Sequence, residues 1–163
     1  MKDWIKWKNL EHLILFNAFL TLGLKLIHTS RDVTATLDNV WNVISDIDRE
    51  PEFWHGTKSI KNISKTGNTI EREVVIPFRN SKCREIVKLD DKKSVNIEII
   101  QGPIRGKKTI ALRTINNHAT RIDVEWDIKI HGLYRIFTGM IKRHILKGTE
   151  EALERISEKV SYA

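Results

Sequence analysis

The chain of 163 residues has a single cysteine, Cys83. One thiol can close no internal disulfide and build no thiolate metal cluster, and on a strand it reads as a small core hydrophobe. Only 3 prolines and 8 glycines are present, too few for collagen-like or low-complexity sequence. No internal repeat is visible, which removes solenoids and propellers. The 6 histidines (His12, His28, His55, His118, His131 and His144) are scattered, and no two make a His-x-x-x-His pair. No metal site is therefore expected. There is no Gly-x-Ser-x-Gly elbow and no Cys/His pairing to suggest a nucleophile. The segment Gly102-Pro-Ile-Arg-Gly106-Lys-Lys-Thr109 looks superficially like a phosphate loop, but it has the wrong glycine spacing and strands on both sides. It reads as a hairpin, and no cofactor is expected. Nor is there a run of about 20 apolar residues of the kind a membrane span needs.

What is present suits one globular domain: 40% hydrophobic and 30% charged residues in a chain long enough to bury a core. The net charge is +7, with Arg79, Lys82, Arg84, Lys88, Lys92, Lys93, Arg105, Lys107 and Lys108 gathered around the central strands and turns. Such a surface would attract an anionic membrane or RNA, or simply stay solvated.

Residues 1–23 differ from the rest. Lys2, Lys6 and Lys8 precede an apolar run from Leu13 to Leu22 broken by Asn17 and Thr21. Trp4, Ile5 and Trp7 beside lysines would suit a membrane interface. A helix packing on the domain or on a partner, and a misplaced start codon, are equally open readings. The division expected is an extension over 1–23 and a folded domain over 24–163. The placement expected is cytoplasmic, with peripheral membrane association tied to the first of these readings.

From Leu24 the periodicity sharpens. Leu24 to Val33 reads as a strand. Thr36 then caps a helix carrying Leu37, Val40, Trp41 and Ile44, ending near Asp46 to Asp48. A second short helical turn holds Phe53 and Trp54. Strands follow over Lys58–Ser64, Thr69–Phe78, Lys82–Leu89, Ser94–Gln101, Lys107–Ile115 and Ala119–His131, at hairpin spacing. Ile122, Val124, Trp126, Ile128 and Ile130 alternate with charged residues, the mark of a sheet wet on one face. Leu133 to Val160 has one apolar stripe at helical spacing, and Gly148 within it predicts a bend or a close approach to the sheet. The fold class is α+β: a curved antiparallel sheet of about seven strands wrapped on a long C-terminal helix, with two short helices after the first strand.

A twisted sheet cannot close fully on a straight helix, and the gap is where an apolar ligand would sit. Its walls are expected from Val74, Ile97, Ile99, Val124, Trp126, Phe137, Met140 and Ile141. Arg72, Glu85 and Gln101 fall in the inward register, so an Arg72–Glu85 pair or a ligand head group is expected. His144, one turn after Met140, and Glu85 are the candidates for acid–base chemistry.

The stretch Val33-Thr-Ala-Thr-Leu-Asp-Asn-Val-Trp-Asn-Val-Ile-Ser-Asp46, followed by Pro51 and Trp54, resembles the opening signature of the START-like helix-grip superfamily, in its polyketide cyclase/dehydrase and lipid transport branch. Gly102-Pro103-Ile104 with Gly106 is similar to the Gly-Pro-Phe turn of coenzyme Q-binding proteins and their ribosome-association-toxin relatives; Ile104 stands where those often carry Phe. The resemblance spans about residues 24 to 160. It implies a helix-grip fold and a small hydrophobic ligand (lipid, isoprenoid, quinone or polyketide) between sheet and C-terminal helix, bound or carried without catalysis. A cyclase/dehydratase-type enzyme and a ribosome- or RNA-associated protein are the alternatives.

Overall fold

The computed structural model describes residues 27–161. The readings made for residues 1–23, and the start of the strand expected from Leu24, lie outside the described residues. Seven strands form one antiparallel sheet: β1 (Ile27–Val33), β2 (Ser59–Thr66), β3 (Thr69–Ile76), β4 (Ser81–Asp90), β5 (Ser94–Gln101), β6 (Ile104–Asn116) and β7 (Ala119–Ile130). Their spatial order is β1-β7-β6-β5-β4-β3-β2. Strands β2 to β7 are thus a meander, and β1 folds back to pair with β7, Ile27 opposite Trp126 and Val33 opposite Thr120.

Helix α1 (Leu37–Ile44) begins where the Thr36 hydroxyl accepts a hydrogen bond from the Asn39 N–H at 3.3 Å. That bond satisfies one orphan donor and sets the N-terminus. Val40, Trp41 and Ile44 form its buried face. A 3-10 turn (Ile47–Arg49) leads into α2 (Glu50–Phe53), with Pro51 in its first turn, where a missing N–H costs nothing. Helix α3 (Thr138–Ser161) is 24 residues long, about 36 Å at 1.5 Å per residue. It packs on α1, α2 and β1 through Ala152, Leu153, Ile156 and Val160.

Three features differ from the pattern-based expectation. The C-terminal helix starts at Thr138, because residues Gly132–Phe137 form a 3-10 segment after Gly132 takes a left-handed φ of 63°. Gly148 makes no close approach: a Cβ there would meet nothing within 4 Å. Strand β6 begins at Ile104, so Gly106 lies inside it. There φ is +134°, and a Cβ would stand 2.1 Å from the Asp127 carbonyl oxygen, which explains why glycine is needed mid-strand.

Candidate functional site

Side-chain alternation directs Ile70, Arg72 and Val74 of β3, Cys83, Glu85 and Val87 of β4, Val95, Ile97 and Ile99 of β5, Lys108 and Ile110 of β6, and Ile122 and Val124 of β7 to the concave face of the sheet. Most are aliphatic. Arg72, Glu85 and Lys108 are not, and each is buried. Arg72 and Glu85 are direct cross-strand partners, and Lys108 stands opposite Ile97 on one side and Trp126 on the other.

Glu50, from the first turn of α2, reaches down between the cations. The guanidinium of Arg72 donates to Glu50 Oε2 through Nη2, to Glu85 Oε2 through Nε at 3.0 Å, and to the Ile47 carbonyl through Nη1 at 3.3 Å. Lys108 Nζ donates to Glu50 Oε1 at 3.1 Å and lies 3.4 Å from the centre of the Trp54 ring and 5.1 Å from that of Trp126. Two acids and two bases thus form a formally neutral buried quartet, with an indole face completing the lysine's shell.

The local field splits the two carboxyls. Burial pushes Glu50 up, but Lys108 and Arg72 together outweigh it and hold the carboxyl at about 2. Burial also pushes Glu85 up, and there it prevails over the pull of Arg72, so its carboxyl is raised from its ordinary value. Lys108 is lowered by burial despite Glu50. Arg72 is raised, because Glu50 and Glu85 overcome its desolvation.

Beside this quartet, between the sheet and the α1–α2 segment, is a crevice of about 20 Å³, room for about one water. Val43, Ile44, Ile47, Phe53 and Trp54 line it from above, Val95, Ile97 and Ile110 from the sheet, and Ile156 from α3; Asp46 and Glu50 supply the acidic groups. It is an apolar slot with a polar end.

Of the residues expected at a pocket, Ile97 lines the crevice, and Arg72 and Glu85 belong to the quartet beside it. Val74, Ile99 and Val124 are buried on the same face. Trp126 is half-buried, and its indole N–H donates to the Thr149 hydroxyl at 3.1 Å. Ile141 is half-buried in the first turn of α3, while Phe137, Met140 and His144 are exposed. The structure does not bring these four residues of the C-terminal segment to the crevice, because no described residue of α3 is buried before Thr149. Gln101 is also exposed: the bulge at Arg84/Glu85 pairs it with the outward Arg84.

Two members of the quartet are not visible as site residues in the sequence. Lys108 reads there as one of the surface cations, yet it is only 3% exposed. The available signal is its parity with Ile110 and Leu112 on one strand. Glu50 opens the four-residue helix α2, too short for any periodicity to show. Of the other cations in that group, Lys82, Arg84, Lys92 and Lys93 pair with Glu73, Glu71, Asp38 and Asp90, which breaks up the basic surface. Among the described residues no group of three or more His, Cys, Asp or Glu side chains could hold a metal ion, and no helix is long and apolar enough to cross a membrane.

The family described as polyketide cyclase / dehydrase and lipid transport matches residues 26–161. No curated protein matches the chain in sequence. Solved structures share its fold at low identity. A protein of Thermus thermophilus has a TM-score of 0.71 at 14% identity, over 85% of this chain and 98% of its own. A START superfamily protein from Mycobacterium smegmatis has a TM-score of 0.68 at 13% identity, over 86% and 99% of the two chains. Norcoclaurine synthase from Thalictrum flavum, solved with dopamine and hydroxybenzaldehyde, has a TM-score of 0.63 at 18% identity, over 85% and 87%.

Proposed function

The chain belongs to the polyketide cyclase/dehydrase and lipid transport family, and from that premise we propose that it binds a small apolar molecule bearing a carboxylate or carbonyl oxygen, between the sheet and the α1–α2 segment. The observation that carries this reading is the crevice whose apolar walls end on Glu50, itself held by Arg72 and Lys108. Glu50 is in effect an internal carboxylate sitting where a ligand's oxygen would sit. A ligand larger than water requires α2 to lift, which withdraws Glu50 and exposes the two cationic donors to the incoming head group. A carboxylate or polarised carbonyl replaces it, so the buried charges are not left unpaired.

The apolar body supplies the affinity. Burying about 300 Å² of ligand at roughly 25 cal/mol/Å² gives about 7 kcal/mol before association costs are subtracted. The START-like neighbours, one of them solved with small aromatic molecules, support a small-molecule ligand. The binding unit in this reading is residues 24–163, with 1–23 an extension to it.

A second reading has its own observation. Burial moves Glu85 up and Lys108 down, each toward neutrality, in the quartet whose Glu50 lines the crevice. Such a pair could move a proton on a bound carbonyl compound, the chemistry of a cyclase or dehydratase. His144, the other acid–base candidate, is exposed on α3 and has no part in it.

Native mass spectrometry of the protein from its own host, followed by denaturing extraction, tests the binding reading. A stoichiometric apolar acid or ketone supports it. An empty protein that also takes up no fatty acid, isoprenoid or quinone contradicts it. Turnover of a bound polyketide mimic, lost in Glu85→Gln while binding persists, would favour the enzymatic reading.

A further inference from the structure

The first three turns of α3 and the 3-10 segment before them bury no described side chain until Thr149. Their apolar residues face solvent instead: Ile136 is 80% exposed, Met140 56% and Phe137 43%. These are the largest apolar exposures of this part of the fold, and they are neighbours along one stretch of chain. Scattered single apolar residues need no explanation, but a contiguous cluster does.

The charge around the cluster is of one sign. Between Asp127 and Glu150 the chain carries no Asp or Glu, while Lys129, Arg135, Lys142, Arg143 and Lys147 are all present. At helical spacing Arg143, His144 and Lys147 lie on the same face as Met140, one and two turns further along. Lys147 has a loose contact with Glu151 at 3.8 Å, and both partners are exposed. The order along the face is therefore an apolar tip followed by a cationic collar. Elsewhere among the described residues Lys82, Arg84, Lys92, Lys93 and Arg121 each pair with a carboxylate.

We propose that this end of α3, with residues 132–137, docks on an anionic lipid bilayer. Ile136, Phe137 and Met140 enter the acyl boundary, and Arg135, Arg143 and Lys147 lie among the head groups. An apolar edge with adjacent cations is the chemistry that interfacial helices use. Each cation near an anionic surface strengthens binding by roughly fivefold. An RNA would use the cations but give no role to the exposed Ile136, Phe137 and Met140, so the apolar tip decides for the membrane. This surface is separate from the crevice, and its test is independent of the ligand.

The experiment is vesicle co-sedimentation of the full chain at low salt, with phosphatidylcholine alone and with phosphatidylcholine containing about one-third phosphatidylserine. The expected result is binding to the anionic vesicles only. It should weaken by roughly tenfold or more in Arg143→Glu/Lys147→Glu, two charge reversals, and comparably in Ile136→Ser/Met140→Ser. All four sites are exposed, so unchanged melting temperatures will show that the fold is intact. Three results would overturn the proposal. One is no sedimentation of the full chain with anionic vesicles. Another is binding equal in all variants, which moves the contact to a different part of the chain. The third is a charge-reversed variant that loses a labelled RNA but no vesicle binding.

Discussion

Arg72 and Glu85 face each other across β3 and β4 as register partners, and their side chains close the pair at 3.0 Å inside the sheet's concave face. Arg72 cannot leave alone. Replacing Arg72 with Met keeps the volume but leaves the buried Glu50 and Glu85 with Lys108 as the one cation between them. A cost of roughly 3–5 kcal/mol is expected, read as a lower urea midpoint with unchanged slope. Adding Glu85→Gln to that variant should recover a large part of the loss, because the remaining Glu50–Lys108 pair is neutral and leaves no uncompensated carboxylate.

The two acids of the quartet predict opposite pH behaviour. Glu50 is held at about 2, against 4.5 for an ordinary glutamate. Its stabilisation is present above 4.5 and is lost as pH falls toward 2. Glu85 is raised, so its contribution is greatest below 4.5 and is lost as pH rises through its elevated value. At neutral pH Glu50→Gln should therefore destabilise, whereas Glu85→Gln should be much milder or stabilising. Urea unfolding across a range from acid to neutral pH checks both signs.

The fold's elements are legible in the sequence because their signals are local. Alternation on β7 identifies the buried face through Ile122 and Val124, and Thr36 marks a helix start by its own chemistry. Even the Arg72–Glu85 pair follows from parity on neighbouring strands. The site is less legible, since Glu50 reaches the quartet from the start of the four-residue helix α2, 58 residues away from Lys108. No period links such positions. Met140 and His144 show the converse: an apolar stripe at helical spacing says which residues share a face, but not how far along the helix the sheet extends beneath it.

Two glycines separate backbone need from local tolerance. Gly106→Ala puts a Cβ 2.1 Å from the Asp127 carbonyl oxygen at a φ of +134°, so β6 and β7 must part. A loss of several kcal/mol, about 3 or more, is expected. Gly148 sits mid-helix with open space around it, and Gly148→Ala should stabilise by about 1 kcal/mol. Thermal denaturation of the two variants should move in opposite directions.

Cys83 is buried on β4, and burial, aided by Glu85, pushes its thiol up to about 11. The thiolate is the reactive form. A disulfide reagent at mildly alkaline pH should therefore label the native protein only slowly and the urea-unfolded protein at once. Rapid native labelling would mean that β4 opens readily at its end near Gly102.

The most direct test of ligand binding in the crevice is tryptophan fluorescence of the full chain, since Trp54 lines the slot. It should be titrated with a medium-chain fatty acid and with the alcohol of equal length. Saturable binding is predicted, with the acid at least about tenfold tighter, because only the carboxylate forms charge-assisted bonds with Arg72 and Lys108. Ile97→Trp, which fills the slot, should abolish it. No saturable change with either compound, or equal affinity in wild type and Ile97→Trp, would contradict the account.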